Sequence, residues 1–145
     1  MRKQILYVIL FVALTFFVSG CSATYKIEGR VVQLPELKSP DGFLAEVTEQ
    51  SLPQGGTPIV GAKVRMITQL DEQDKPVKDT VWQDDFLTVE NGFFRIIASS
   101  KPTKELKVGI EVSKDGYKTV YETRILESNS ESRVFLVVLV PNGAG

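Results

Sequence analysis

The chain has 145 residues, no histidine, a single cysteine, and 17 basic against 18 acidic side chains. Without histidine neither a Ser-His-Asp triad nor a histidine-ligated zinc centre can be assembled, and one cysteine closes no disulfide. The two signs of charge are interspersed, so no basic stripe offers to displace counterions from a phosphate backbone, and nucleic acid is not expected as a partner.

In chain order, Arg2 and Lys3 precede an apolar run from Ile5 to Val18 that only Thr15 interrupts. That run has the length of a secretory core, about 7 to 15 residues, and falls short of the roughly 20 that a spanning helix needs. Val18, Ser19, Gly20 and Cys21 follow, small residues that fit narrow peptidase pockets and then a sulfur that can carry lipid. In these residues the chain resembles bacterial lipoprotein precursors. The resemblance implies cleavage between Gly20 and Cys21, a diacylglyceryl group (and palmitate-type acylation) on Cys21, and membrane lipid as the first partner. On that reading residues 1–20 are a signal peptide, 21–24 a lipidated tether and 25–141 one domain. Removing Arg2 and Lys3 leaves 15 basic against 18 acidic groups. One myristoyl chain binds a bilayer only reversibly, at about 10⁴ M⁻¹, whereas two or three chains hold permanently. The expected location is the cell envelope, lipid-anchored. If the source is Gram-negative, Ser22 stands where an aspartate would retain the protein on the inner membrane, so the outer membrane facing the periplasm is expected.

Tyr25, Ile27, Gly29 and Val31 alternate with Lys26, Glu28 and Arg30, the period of two of a strand with one buried face, ending near Leu34. Residues 35–57 then read as one long connection, with Pro35, Pro40, Pro53 and Gly55-Gly56 as breakers. Inside it Phe43, Leu44 and Val47 are compatible with one short element, and the connection reads either as a packed surface loop with these three groups tucked onto the domain or as a partner-binding excursion, since loops beyond about 12 to 15 residues are often functional. Val60, Ala62, Val64 and Met66 predict a second strand, and Asp71 to Lys78 a polar turn. Val81-Trp82 and Phe86 to Val89 predict one interrupted strand or two short ones. Asn91-Gly92 predicts a tight hairpin, because both residues accept positive φ. Phe94 and Ile96 face one way after it. Leu106, Val108, Ile110 and Val112 give the cleanest alternation of the chain, and Lys114-Asp115-Gly116 turns into a strand from Tyr117 to Ile125. Arg133 to Val140 closes the series with an unbroken apolar run, which predicts burial on both faces or an edge covered by the long loop. No helical period with caps occurs in the mature chain. Seven short strands without a helix predict an all-β, seven-stranded Greek-key β-sandwich, transthyretin-like or Ig-like.

Four segments carry a further resemblance: Gly29-Arg30-Val31-Val32, Pro58-Ile59-Val60-Gly61-Ala62-Lys63-Val64, Asn91-Gly92-Phe93-Phe94-Arg95-Ile96 and Lys114-Asp115-Gly116-Tyr117. In them the chain resembles the carboxypeptidase regulatory-like, or transthyretin-like, domains, with a longer connection at 35–57 than such modules have. The resemblance implies an accessory or adhesive module. Transthyretin-like hydrolases that open the hydroxyisourate ring rely on histidines, which this chain lacks.

The remaining chemistry is sparse. A serine-lysine dyad is compatible with the composition, but each Ser and Lys falls on a loop or an exposed strand face. Asp71-Glu72 with Asp74, and Asp84-Asp85 with Glu90, lack the glycine-punctuated spacing of a calcium loop, and no metal or cofactor is expected. Trp82, Tyr117 and Tyr121 offer either cross-strand packing or a sugar platform. The expectation is therefore a non-catalytic lipoprotein module that binds or scaffolds another envelope protein. The alternative is a carbohydrate-binding module at the cell surface or in the periplasm. If strand one runs away from the bilayer, alternation puts 35–57, 90–92 and 114–116 at the far end. Phe43 and Leu44 would then be exposed there, with Val47, as the candidate partner-binding loop.

Overall fold

The computed structural model describes residues 22–35, 39–48, 55–77, 86–100 and 103–143. Cys21, the Gly20–Cys21 junction and Trp82 lie outside the described residues.

The described chain is built from strands: β1 (Ala23–Gln33), β2 (Phe43–Glu46), β3 (Thr57–Pro58), β4 (Lys63–Ile67), β5 (Phe86–Leu87), β6 (Phe93–Ser100), β7 (Glu105–Ser113), β8 (Val120–Glu127) and β9 (Arg133–Val138). They form two sheets. The first runs β2-β9-β1, with β6 and β3 both paired to β1, and the second runs β5-β4-β7-β8. The protein is thus an all-β sandwich. The sheets bury a shared core that draws Tyr25, Ile27 and Val31 from β1, Phe94 and Ile96 from β6, and Phe135 and Val137 from β9. Val64 and Met66 of β4 and Val108, Ile110 and Val112 of β7 face them, all at 1% exposure or less, so the alternation of β4 and β7 reads directly as inside and outside.

Most pairings are antiparallel, but β1 and β9 run parallel, from Ile27 beside Arg133 to Val32 beside Val138. This places β9 between β1 and β2 and explains its unbroken apolar run. Phe135 and Val137 enter the core, whereas Leu136 and Val138 join Val32 in a smaller cluster on the outer face, packed by Leu34, Phe43 and Val47. Burial on both faces selects apolar residues at consecutive positions.

Four expectations are corrected. The first strand starts before Tyr25: β1 begins at Ala23, paired with Ser100, and Thr24 Oγ1 donates to Asn129 Oδ1 at 3.0 Å. The 35–57 connection is not one loop: it contains β2, which pairs with β9, and ends in β3, which pairs with Val32 and Gln33. Asn91 and Gly92 do adopt positive φ, 60° and 67°, but the turn carries the chain from β5 in one sheet to β6 in the other and closes no hairpin. The strand expected from Tyr117 begins at Val120, because Lys118 N–H donates to Val140 C=O and Tyr117 bridges to Pro141.

Along one side the two sheets are joined by side chains. Val120, Glu122, Arg124 and Leu126 share the inward face of β8, yet two of them are charged. Their partner is the edge strand β2: Leu44 N–H donates to Glu122 Oε1 at 3.0 Å, and Arg124 Nη2 donates to Leu44 C=O at 2.9 Å and to Glu122 Oε2 at 2.6 Å. Within the first sheet Arg133 of β9 makes a bidentate pair with Glu46 of β2, two donors onto two carboxylate oxygens, and it reaches the second sheet by donating Nη1 to Ile125 C=O of β8. Inward charges here cap an edge that would otherwise offer free backbone groups.

Candidate functional site

The registers sort the turns between two ends. β1 starts at Ala23 beside Ser100, and β7 starts at Glu105 beside Glu127, so residues 22, 103–104 and 128–132 gather at one end. Asn129 N–H donates to Thr24 C=O there. Gln33, Phe43, Phe93, Ser113 and Val120 mark the opposite end, together with the turns at 59–62, 89–92 and 114–119.

At that opposite end a buried threonine builds the candidate site. Thr88 is 2% exposed. Its Oγ1 donates to Ile59 C=O at 2.6 Å and accepts from Ala62 N–H at 2.9 Å, while its own N–H and C=O bond Ala62 C=O and Gly61 N–H. This knot fixes residues 59–62 beside 87–89, with Gly61 in the left-handed region at φ 70°. With Ile59 and Thr88 turned inward, the knot leaves Val60 at 56%, Leu87 at 59% and Val89 at 56% exposure. Three exposed apolar residues therefore lie on adjoining stretches of backbone at one corner, and apolar surface gathered in this way marks interaction sites more often than single exposed residues do. A polar cleft of about 450 Å³ borders the strip, with Leu87 as a shared wall and Lys63 and Lys114 among its lining.

The other end holds a cleft of about 520 Å³ whose described walls are uncharged, among them Ser22, Thr68, Ser99 and Thr103. Tyr25, fully buried, sends its hydroxyl to Thr103 C=O at 2.9 Å at the base of this end.

The residues expected to bind a partner are separated by strand geometry. Phe43 and Val47 lie on the outer face of the first sheet, packed against the Val32 cluster, whereas Leu44 is 4% exposed and belongs to the main core. The expected exposure of Phe43 and Leu44 is thus corrected: neighbouring residues on a strand point to opposite faces, and Leu44 takes the inward one. The aromatic pair is likewise engaged. Tyr117 OH donates to Gln33 Oε1 at 2.9 Å, and Tyr121 lies over Gly109 and donates to Asp74 C=O at 2.6 Å. Burial, and next the negative charge of Asp74, pushes the Tyr121 phenol above its usual value. Of the acidic clusters, Asp71 builds its own turn by accepting from Gln73 and Lys75 N–H, and Asp74 pairs with Lys107 at 2.5 Å. Among the described residues no group of His, Cys, Asp and Glu is arranged to hold a metal ion. No described helix is long and apolar enough to cross a membrane.

The sequence signals the strip weakly: Phe86, Leu87 and Val89 are apolar with Thr88 between them, and a turn follows.

The fold and the corner together define a two-sheet, all-β domain with an exposed apolar strip. Compared with known proteins, the chain matches no family model, no curated protein and no solved structure.

Proposed function

We propose that this chain is a non-catalytic, lipid-anchored module of the cell envelope, a Greek-key sandwich of the carboxypeptidase regulatory-like type that docks another envelope protein. The observation that carries the reading is positional. Ser22, which follows the lipid-bearing Cys21, lies at one end of the sandwich, and the strip of Val60, Leu87 and Val89 lies at the other. A domain held to a bilayer by Cys21 then presents this strip away from the lipid. The apolar corner offers area to exclude water, and the backbone knot at Thr88 pre-orders it, so little conformational entropy is lost on docking.

A photo-crosslinking residue at Val89 tests this in the native envelope, with the same residue at Lys104 as the control at the other end. The reading expects one discrete protein adduct from Val89, lost in a Leu87→Asp background, and none from Lys104. Adducts of equal yield from both positions, or a Val89 adduct indifferent to Leu87→Asp, would contradict it.

A further inference from the structure

We propose that the open edge of β6 takes up an extended segment of the docking protein as an added antiparallel strand, a mode of contact that rests on the docking reading above. The other long edges are closed. Leu44 of β2 has its N–H and C=O bonded by Glu122 and Arg124, and on β8 the Thr123 and Ile125 carbonyls accept from Arg124 Nη1 at 2.8 Å and Arg133 Nη1 at 2.5 Å. Among the described residues β3 and β5 span two residues each. By contrast β6 is eight residues long, pairs with β1 from Phe93 to Ser100, and has no described strand on its other side.

The ladder fixes which backbone groups face outward. Val89 N–H donates to Phe93 C=O at 3.0 Å, so Phe93 turns its backbone groups away from β1. In an antiparallel ladder this direction alternates, and Arg95, Ile97 and Ser99 therefore point N–H and C=O outward while Phe94, Ile96, Ala98 and Ser100 bond β1. The partner strand agrees. Val31 C=O accepts from Ile59 N–H on this same side of β1, and Val31 shares the parity of Gly29, Ile27 and Tyr25, which pair with Phe94, Ile96 and Ala98. Among the described residues none bonds the outward groups. The usual guards of an edge are missing: β6 holds no proline, lysine or positive φ, and Arg95, its single charge, is drawn onto β1 by Glu28, Nε to Oε2 at 2.8 Å. Ile97 stands at its middle, 56% exposed.

Unpaired N–H and C=O groups in this spacing are matched by another extended backbone, and an antiparallel segment would exchange about six hydrogen bonds with them. Its side chains follow from the register: a β-branched or aromatic residue opposite Ile97, no cation opposite Arg95, and no proline at the paired positions. The bond from Val89 to Phe93 carries this edge up to the apolar corner, so the two surfaces are continuous. A second copy of the chain does not suit the edge. Antiparallel pairing of two β6 strands sets the Ser100 end of one beside the Phe93 end of the other, and the Cys21 ends would then point opposite ways instead of into one bilayer.

The test titrates the full chain in detergent with the acetylated, amidated peptide Ser-Thr-Ser-Val-Ser-Thr-Ser and with the same peptide N-methylated at its valine and threonines. The first should bind at least about tenfold more tightly and slow amide exchange at Arg95, Ile97 and Ser99 by at least about tenfold at saturation. Ile97→Pro removes an N–H that β1 does not use, so it should keep the fold and lower the affinity by at least about tenfold. Ile97→Lys guards the same edge if the proline variant does not fold. Equal binding of the two peptides, no binding of either, protection only at other residues, wild-type affinity in a folded Ile97 variant, or a dimer of the full chain that Ile97→Pro disperses overturns the proposal. In the envelope, a Val89 adduct of undiminished yield in Ile97→Pro overturns strand addition and leaves docking at the corner standing. Peptide binding at the edge without any Val89 adduct supports the edge and contradicts the docking reading alone.

Discussion

Gly29 lies mid-strand in β1, where glycine is usually a weakness, and replacing it with alanine tests the packing of the first sheet. Gly29 pairs with Phe135 of β9 on one side and Phe94 of β6 on the other. A Cβ there would overlap the carbonyl oxygen of Phe135 and lie 2.9 Å from Phe94 Cζ. A carbon rests about 3.3 to 3.6 Å from such an oxygen, so relief requires the β9 backbone itself to retreat. Overpacking a core costs about 1 to 3 kcal/mol when side chains can adjust. Because main chain must move, Gly29→Ala should reach about 3 kcal/mol, or on the order of 10 °C in melting temperature for a domain of this size. Gly116→Ala is the control. Nothing lies within 4 Å of its would-be Cβ, so only the strain of φ 86° is felt, about 1 to 2 kcal/mol. Thermal and urea unfolding of both variants beside the wild type measures the difference. If Gly29→Ala melts within about 2 °C of the wild type, the close parallel approach of β1 and β9 is refuted.

Three further outcomes are expected. Thr88→Val keeps the shape but leaves Ile59 C=O and Ala62 N–H without their buried partner, and should cost about 2 to 4 kcal/mol in urea unfolding, against almost nothing if the knot is unimportant. Ile110→Ala should cost about 2 to 5 kcal/mol through lost burial and a cavity, whereas Lys107→Ala, which breaks an exposed pair with Asp74, should cost about 1 kcal/mol or less; equal melting temperatures would reverse the faces of β7. The hydrogen bond from Arg133 holds Glu46 below the ordinary carboxylate value of 4.5, so its stabilising share is present above that value and is lost as pH falls through the lower folded one. Acid titration of stability should therefore flatten in Glu46→Gln, and an unchanged acid limb would remove Glu46 from the seam.

The strands whose burial follows from their own residues could be read from the chain. β7 and β9 carry their environment in their patterns, one alternating and the other apolar throughout, and the positive φ of Asn91 and Gly92 is a local property. What escaped depends on partners distant in sequence. β2 is held by Glu122 and Arg124, which on β8 look like ordinary surface charge until the seam with Leu44 is seen. The Asn91-Gly92 turn has hairpin chemistry, but its flanking strands are claimed by β4 and β1. The candidate site was hidden for the same reason. Val60 reads as an alternating core residue, and only the bonds of Thr88 to residues 59–62 turn it outward, next to Leu87 and Val89.

The proposed orientation of a domain anchored through Cys21 carries the functional account, and fluorescence quenching in liposomes tests it most directly. The lipidated chain is labelled at Glu131, beside the start of β1, or at Asp115, in the turn at the opposite end. A quencher confined to the lipid headgroups should strongly reduce the Glu131 signal and leave Asp115 unaffected. Strong quenching at Asp115 with Glu131 untouched would place the apolar strip against the bilayer and contradict the account.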